Sequence, residues 1–180
     1  MSYWTILLYG LSIFLLSTIR TTEMTHSIDS TYTTYIVSPR VKVWKALTDG
    51  AITREYFFGR RIESSWKVGD GWRIWMHDPM NSSQEIIDSE GEVLECVAGR
   101  KLVLSWRVMW MPELRSFPEG RVTYTLDEMG FGVTRLRMDQ SHENPVEEHW
   151  LEMGRKGWAA IFSSLKTLLE TGTPLPPIDM

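Results

Sequence analysis

The densest set of ionisable side chains is "HENPVEEHW" at 142–150, which gathers His142, Glu143, Glu147, Glu148 and His149. Imidazoles and carboxylates at this density are the raw material of a metal site or an acid–base pair. The spacing argues against both. A helical two-histidine zinc motif needs its histidines four residues apart on one face, and here Pro145 separates His142 from His149 across a helix start. Carboxylates in a first helical turn are what the helix dipole favours without any chemistry. A second candidate is "WMHDP" at 75–79, where His77 adjoins Asp78. Adjacent residues on a strand point to opposite faces, so the pair is better read as turn chemistry at Asp78-Pro79. No Gly-x-Ser-x-Gly elbow, phosphate loop or dinucleotide fingerprint is present. Cys96, the one cysteine, sits in an alternating run as a small hydrophobe and excludes an internal disulfide. These residues therefore name no catalytic group, no metal ligand and no cofactor.

What remains unusual is aromatic: nine tryptophans in 180 residues, three of them in "WKVGDGWRIW" at 66–75. A net charge of −4 gives no electrostatic footprint for a phosphate backbone, which excludes nucleic-acid binding as the reason for so much indole. Core, ligand wall and partner surface remain, and the elements that carry these residues must decide. "TYTTYIVS" (31–38) alternates and is rich in β-branched and aromatic residues, as a strand does. Ser38-Pro39 then supplies an N-cap and a first-position proline for a short helix closed by Thr48-Asp49-Gly50. "AITREYFF" continues as a second short helix to Gly59. Beyond it the period drops to two, with strands expected over 60–67, 71–77, 85–97, 101–110, 120–127 and 132–140. Glycines at 69, 71, 99, 130 and 132 mark the turns. Asn144 with Glu147 makes a capping-box pattern, opening a helix over about 145–170. Its apolar stripe runs through Val146, Trp150, Met153, Gly157, Ile161, Leu165 and Leu168, until Gly172 and the prolines at 174, 176 and 177 stop it.

One face of such a meander needs covering, and only the long helix is large enough to do it. The expected fold is α+β: a curved antiparallel sheet of about seven strands wrapped around the C-terminal helix. Period-two sorting turns Trp72, Ile74 and Met76 toward the helix, together with Trp106, Trp110 and Tyr124. Trp75 falls on the outer face with the arginines. Gly154 and Gly157 in the helix stripe admit two readings, close packing against a bulky strand residue or room for a small molecule.

The phrases "TYTTYIVSPRVKVWKALTDGAITREYFFG", "GEVLECVAGRKLVLSW", "VTYTLDEMGFGVTRLRMDQSH" and "GWAAIFSSLKTLLETG" resemble the activator-of-heat-shock-protein-90-ATPase homologue family. That family lies within the polyketide-cyclase and START-like superfamily (SRPBCC) of helix-grip proteins. The resemblance covers roughly 31–172 and implies a hydrophobic cavity between sheet and helix. On this basis the candidate ligand-binding residues are Trp72, Ile74, Met76, Trp106, Trp110, Tyr124, Trp150, Met153 and Gly157, with His142 near the mouth. The expected function is binding of a small hydrophobic molecule. The alternative is a co-chaperone-like module with a chaperone or other protein partner, using the outer face or the 109–117 loop. A cyclase- or hydrolase-type enzyme comes third. The uncharged run "YWTILLYGLSIFLLSTI" (3–19) makes 1–24 a leader, read as a membrane segment, a start upstream of the true one at Met24, or a cleaved signal. The helix-grip domain is expected over 25–172 and a Pro-rich tail over 173–180. A cytoplasmic location is expected, or a membrane-anchored one if 1–24 is retained.

Overall fold

A computed structural model describes residues 28–176; the leader expected over 1–24 and the end of the tail expected over 173–180 lie outside them. The order is β1 (Ile28–Val37), α1 (Arg40–Thr48), α2 (Gly50–Tyr56), β2 (Arg61–Ser64), β3 (Gly71–Asp78), β4 (Asn81–Val97), β5 (Lys101–Val108), β6 (Gly120–Glu128), β7 (Val133–His142) and α3 (Glu148–Thr171). A 3-10 turn at Pro112–Ser116 separates β5 from β6. All pairings are antiparallel, in the order β1-β7-β6-β5-β4-β3-β2. The two short helices carry the chain from one edge of the sheet to the other, and six strands then meander back until β7 meets β1. This is the expected helix-grip architecture.

The inner face follows the alternation. Trp72, Ile74, Leu102, Leu104, Val122, Leu126, Leu136 and Met138 are all buried, against Ile161, Phe162, Leu165 and Leu168 of α3. Trp158 is the hub, its ring 5.4 Å from Trp106, 5.6 Å from Phe162 and 6.3 Å from Phe57. Trp75 is turned outward, donating to Glu63 at 2.9 Å with the Arg61 guanidinium 5.3 Å over its ring. No helix among the described residues is long and apolar enough to cross a membrane.

Four local expectations are corrected. Strand β2 stops at Ser64 because Trp66 takes a left-handed φ of 60° and aims its indole N–H at the Thr48 carbonyl, 3.0 Å away. Strand β4 begins at Asn81, since the Asp78 side chain accepts from the Met80 amide and closes a tight hairpin. Ser38 does not cap α1: its carbonyl accepts from the Thr134 hydroxyl at 2.7 Å, and Pro39 takes the N-cap position. Helix α3 starts at Glu148, after an extended Glu147 with no side-chain cap, so the Asn144–Glu147 box does not form. Asn144 precedes a proline and is biased away from helix, and the chain needs these residues to travel from the end of β7 to the helix.

The far end of α3 is tied to β1. Lys166 donates to the Tyr35 carbonyl at 2.5 Å, and the Glu170 carboxylate accepts from the Val37 amide at 2.7 Å. Lys166 first, then the Val37 amide, hold the Glu170 carboxyl below its ordinary value of 4.5. A depressed carboxyl stabilises the fold above its ordinary value and loses that contribution as pH falls through the folded one. Glu170→Ala at neutral pH is expected to speed amide exchange at Val37 severalfold relative to Ile36. Unchanged exchange at Val37 would count against the link.

A cavity under the first half of α3

Where α3 passes over β4, β5 and the 3-10 turn, side chains do not close the space. A cavity of about 260 Å³ remains, just below the ~300 Å³ at which typical small-molecule sites begin. Trp106 and Trp158 line its inner side. The 3-10 turn supplies Leu114 and is followed by Phe117, whose ring meets Trp150 edge-on at 5.5 Å. Trp110, 37% exposed, and Met153, 47% exposed, stand at the mouth. Four of the nine tryptophans therefore border one space.

The roof is the decisive element. Gly154 and Gly157 line the cavity, and a Cβ built on either would meet nothing within 4 Å. The close-packing reading of these glycines is overturned. Each weakens a helix interior by about 1 kcal/mol relative to alanine, with no neighbouring atom that requires it.

One wall is polar. Along β4 the register against β3 slips, Ile74 facing Ser89 and Trp75 facing Ile87, so Asp88 is the extra residue of a bulge. A bulge re-aims side chains, and here the buried Asp88 and Ser89 both line the cavity. The Asp88 carbonyl accepts from the Met109 and Trp110 amides, which turns the chain out of β5 two residues before the expected end. Its carboxylate accepts from Arg60 Nε at 2.7 Å and from the Ser89 hydroxyl at 2.7 Å. Arg60 reaches it because Phe58 (φ 51°) and Gly59 (φ 80°) reverse the chain after α2. At the other end, Gln140 accepts from the Trp158 indole at 3.2 Å, and His142 Nδ1 lies 2.8 Å from Asp29.

Of the residues expected from sequence, Trp106, Trp110, Trp150, Met153 and Gly157 line this cavity, with His142. Trp72, Ile74 and Tyr124 sit behind it in the core. Trp72 packs against Trp106 at 4.4 Å and donates to the Ser105 carbonyl. Ile74 and Tyr124 border only a void of about 20 Å³. Burial pushes the Tyr124 hydroxyl well above its usual pKa, so it stays neutral. Met76 is half-buried, past the bulge, and is not part of the lining. Sequence reasoning missed Phe57, Arg60, Asp88, Ser89 and Trp158. The one available signal was the broken alternation of "IIDS" at 86–89, where two isoleucines and two polar residues interrupt period two.

The ionisable cluster disperses. His142 pairs with Asp29, His149 is exposed beside Glu147, and Glu148 pairs with Arg155. Among the described residues no set of His, Cys, Asp and Glu is arranged to hold a metal ion.

A family model described as "Activator of Hsp90 ATPase homolog 1-like protein" matches residues 38–170. The chain belongs to that family. No curated protein matches it in sequence. Among solved structures, DynU16 from the dynemicin biosynthetic locus is 22% identical with a TM-score of 0.63, over 80% of this chain and 48% of its own. The chain thus spans about half the length of DynU16. MLL2253 from Mesorhizobium loti is 25% identical with a TM-score of 0.59, over 78% of this chain and 96% of its own. PFC0360w, an HSP90 activator from Plasmodium falciparum, is 19% identical with a TM-score of 0.56, over 72% of this chain and 86% of its own. These likenesses show that this member of the Activator of Hsp90 ATPase homolog 1-like family shares its fold with all three.

Proposed function

We propose that this chain binds a small apolar molecule in the cavity beneath the first half of α3. The observation that carries this reading is the pair of helical glycines, Gly154 and Gly157, facing open space in a cavity also lined by Trp106 and Trp158. A helix that only needed to pack would gain stability from alanine at both positions. Aromatic and aliphatic walls with a few fixed polar groups are the usual make-up of a ligand site. The runner-up is a protein-interaction role, supported by the family and by the description of PFC0360w. The outer-face aromatic such a role would use, Trp75, is half-covered and held by Arg61 and Glu63.

The test is native mass spectrometry of the protein purified from its own host, with fluorescence titration against a panel of fatty acids, alcohols and bicyclic aromatics. With four tryptophans on the cavity, an occupant changes intrinsic emission directly. A co-purifying apolar molecule, or saturable change with one ligand class, is the expected result. Ligand-free protein with flat titrations across the panel would sink the proposal.

A further inference from the structure

The cavity's apolar part does not say what its ligand's polar end is, but its charged lining does. Resting on the ligand-binding reading above, we propose that the ligand is a carboxylic acid, its carboxylate anchored by Arg60 and its apolar body lying between Trp106, Trp158 and the glycine roof. Arg60 meets the Asp88 carboxylate through Nε alone. Its two terminal nitrogens, Nη1 and Nη2, have no hydrogen-bond partner among the described residues. The guanidinium is a planar fork whose free pair of N–H groups matches a carboxylate in two parallel bonds.

The fork is also held still. Asp88 is fixed by the bulge, and its second oxygen accepts from the Ser89 hydroxyl. The Arg60 side chain is 23% exposed, and Asp88 is 10% exposed. The Phe57 ring, another lining residue, lies 5.9 Å from the guanidinium carbon. An anion meeting Arg60 here is therefore weakly screened and needs little reorganisation of the arginine. The rest of the charged lining adds no unpaired carboxylate to oppose an anion. Besides Arg60 and Asp88, the charged group on it is Arg107, whose Glu119 partner at 3.6 Å lies outside the lining.

Decanoate and 1-decanol share an apolar chain and differ in the head group, so the two titrated against the full chain separate the claims. Decanoate is expected to bind at least tenfold more tightly than decanol. Arg60→Gln is expected to abolish that preference. Arg60→Gln strands the Asp88 carboxylate in a poorly solvated wall, which risks the fold. The double variant Arg60→Met/Asp88→Leu removes both charges at similar bulk and is expected to take decanol in preference to decanoate. Equal binding of acid and alcohol by the unaltered chain overturns the proposal and leaves the cavity reading intact. So does a preference for acid that survives in the double variant, because the anchor then lies elsewhere. Failure of both probes, and of the wider panel, overturns the cavity reading itself.

Discussion

Gly157→Leu is expected to do two things rarely seen together: raise stability and abolish ligand binding. The backbone at 157 is regular helix, and a Cβ there meets nothing within 4 Å. Replacing glycine by a good helix former at such a position contributes about 1 kcal/mol. The added side chain enters the cavity opposite Trp106, adding apolar contact. It also occupies a large share of a space of only about 260 Å³, so binding should fall by about a hundredfold or more, in the range expected when a ligand must compete with overpacking of a few kcal/mol. Thermal unfolding and fluorescence titration on the same preparation check both halves. A variant that unfolds at lower temperature would mean that the helix and sheet close together at this point, and that the glycine is there for contact.

The opposite outcome is expected one layer down. Gly91 lies on β4 opposite Trp72 of β3, and a Cβ there would stand 2.1 Å from the Ser105 carbonyl oxygen and 2.7 Å from its carbon. Those are backbone atoms, which cannot swing aside as the end of a side chain can. The Ser105 carbonyl is meanwhile occupied by the Trp72 indole, and its hydroxyl by the Glu92 amide. Any shift of β4 away from β5 breaks both bonds and lifts Trp72 off Trp106. Gly91→Ala should therefore destabilise by about 3 kcal/mol or more, the upper part of the overpacking range. In a chain of this size that lowers the melting temperature by about 6–12 °C. A melting temperature within a degree of the unaltered protein would show that the strands can part without penalty. The two glycines thus respond to enlargement in opposite directions, one facing open space and the other a carbonyl.

The meander, the covering helix and the inward face were legible because alternation and helical periodicity are set by burial along each element. That is why Trp72 and Trp75 could be assigned to opposite faces from "GWRIW" alone. The cavity was half legible. Trp150 and Met153 fall on the helix stripe that sequence identified, but the stripe is not buried there; it borders the space instead. Trp158 was absent from that stripe because a curved sheet grips a wide arc of α3, burying the neighbouring row that also holds Phe162. Arg60 was beyond reach, and Asp88 was signalled only by the broken alternation at 86–89, for a different reason. One depends on two successive left-handed residues and the other on a register slip, and their meeting joins positions 28 apart. Periodicity describes regular elements, and both of these side chains are aimed by irregularities.

The links between helices and outer strands bear on how this protein behaves at high concentration. A sheet that ends in free amides and carbonyls is a template on which a second copy can pair. At one edge β1 has its Tyr35 carbonyl and Val37 amide already taken by Lys166 and Glu170. At the other, β2 is only four residues long, its Ile62 amide bonded to the Thr53 hydroxyl. Gly50 there comes so near that a Cβ would be 2.5 Å from the Ile62 carbonyl oxygen. Helix residues thus engage backbone groups at both ends of the ladder, so strand addition by another chain must first displace them.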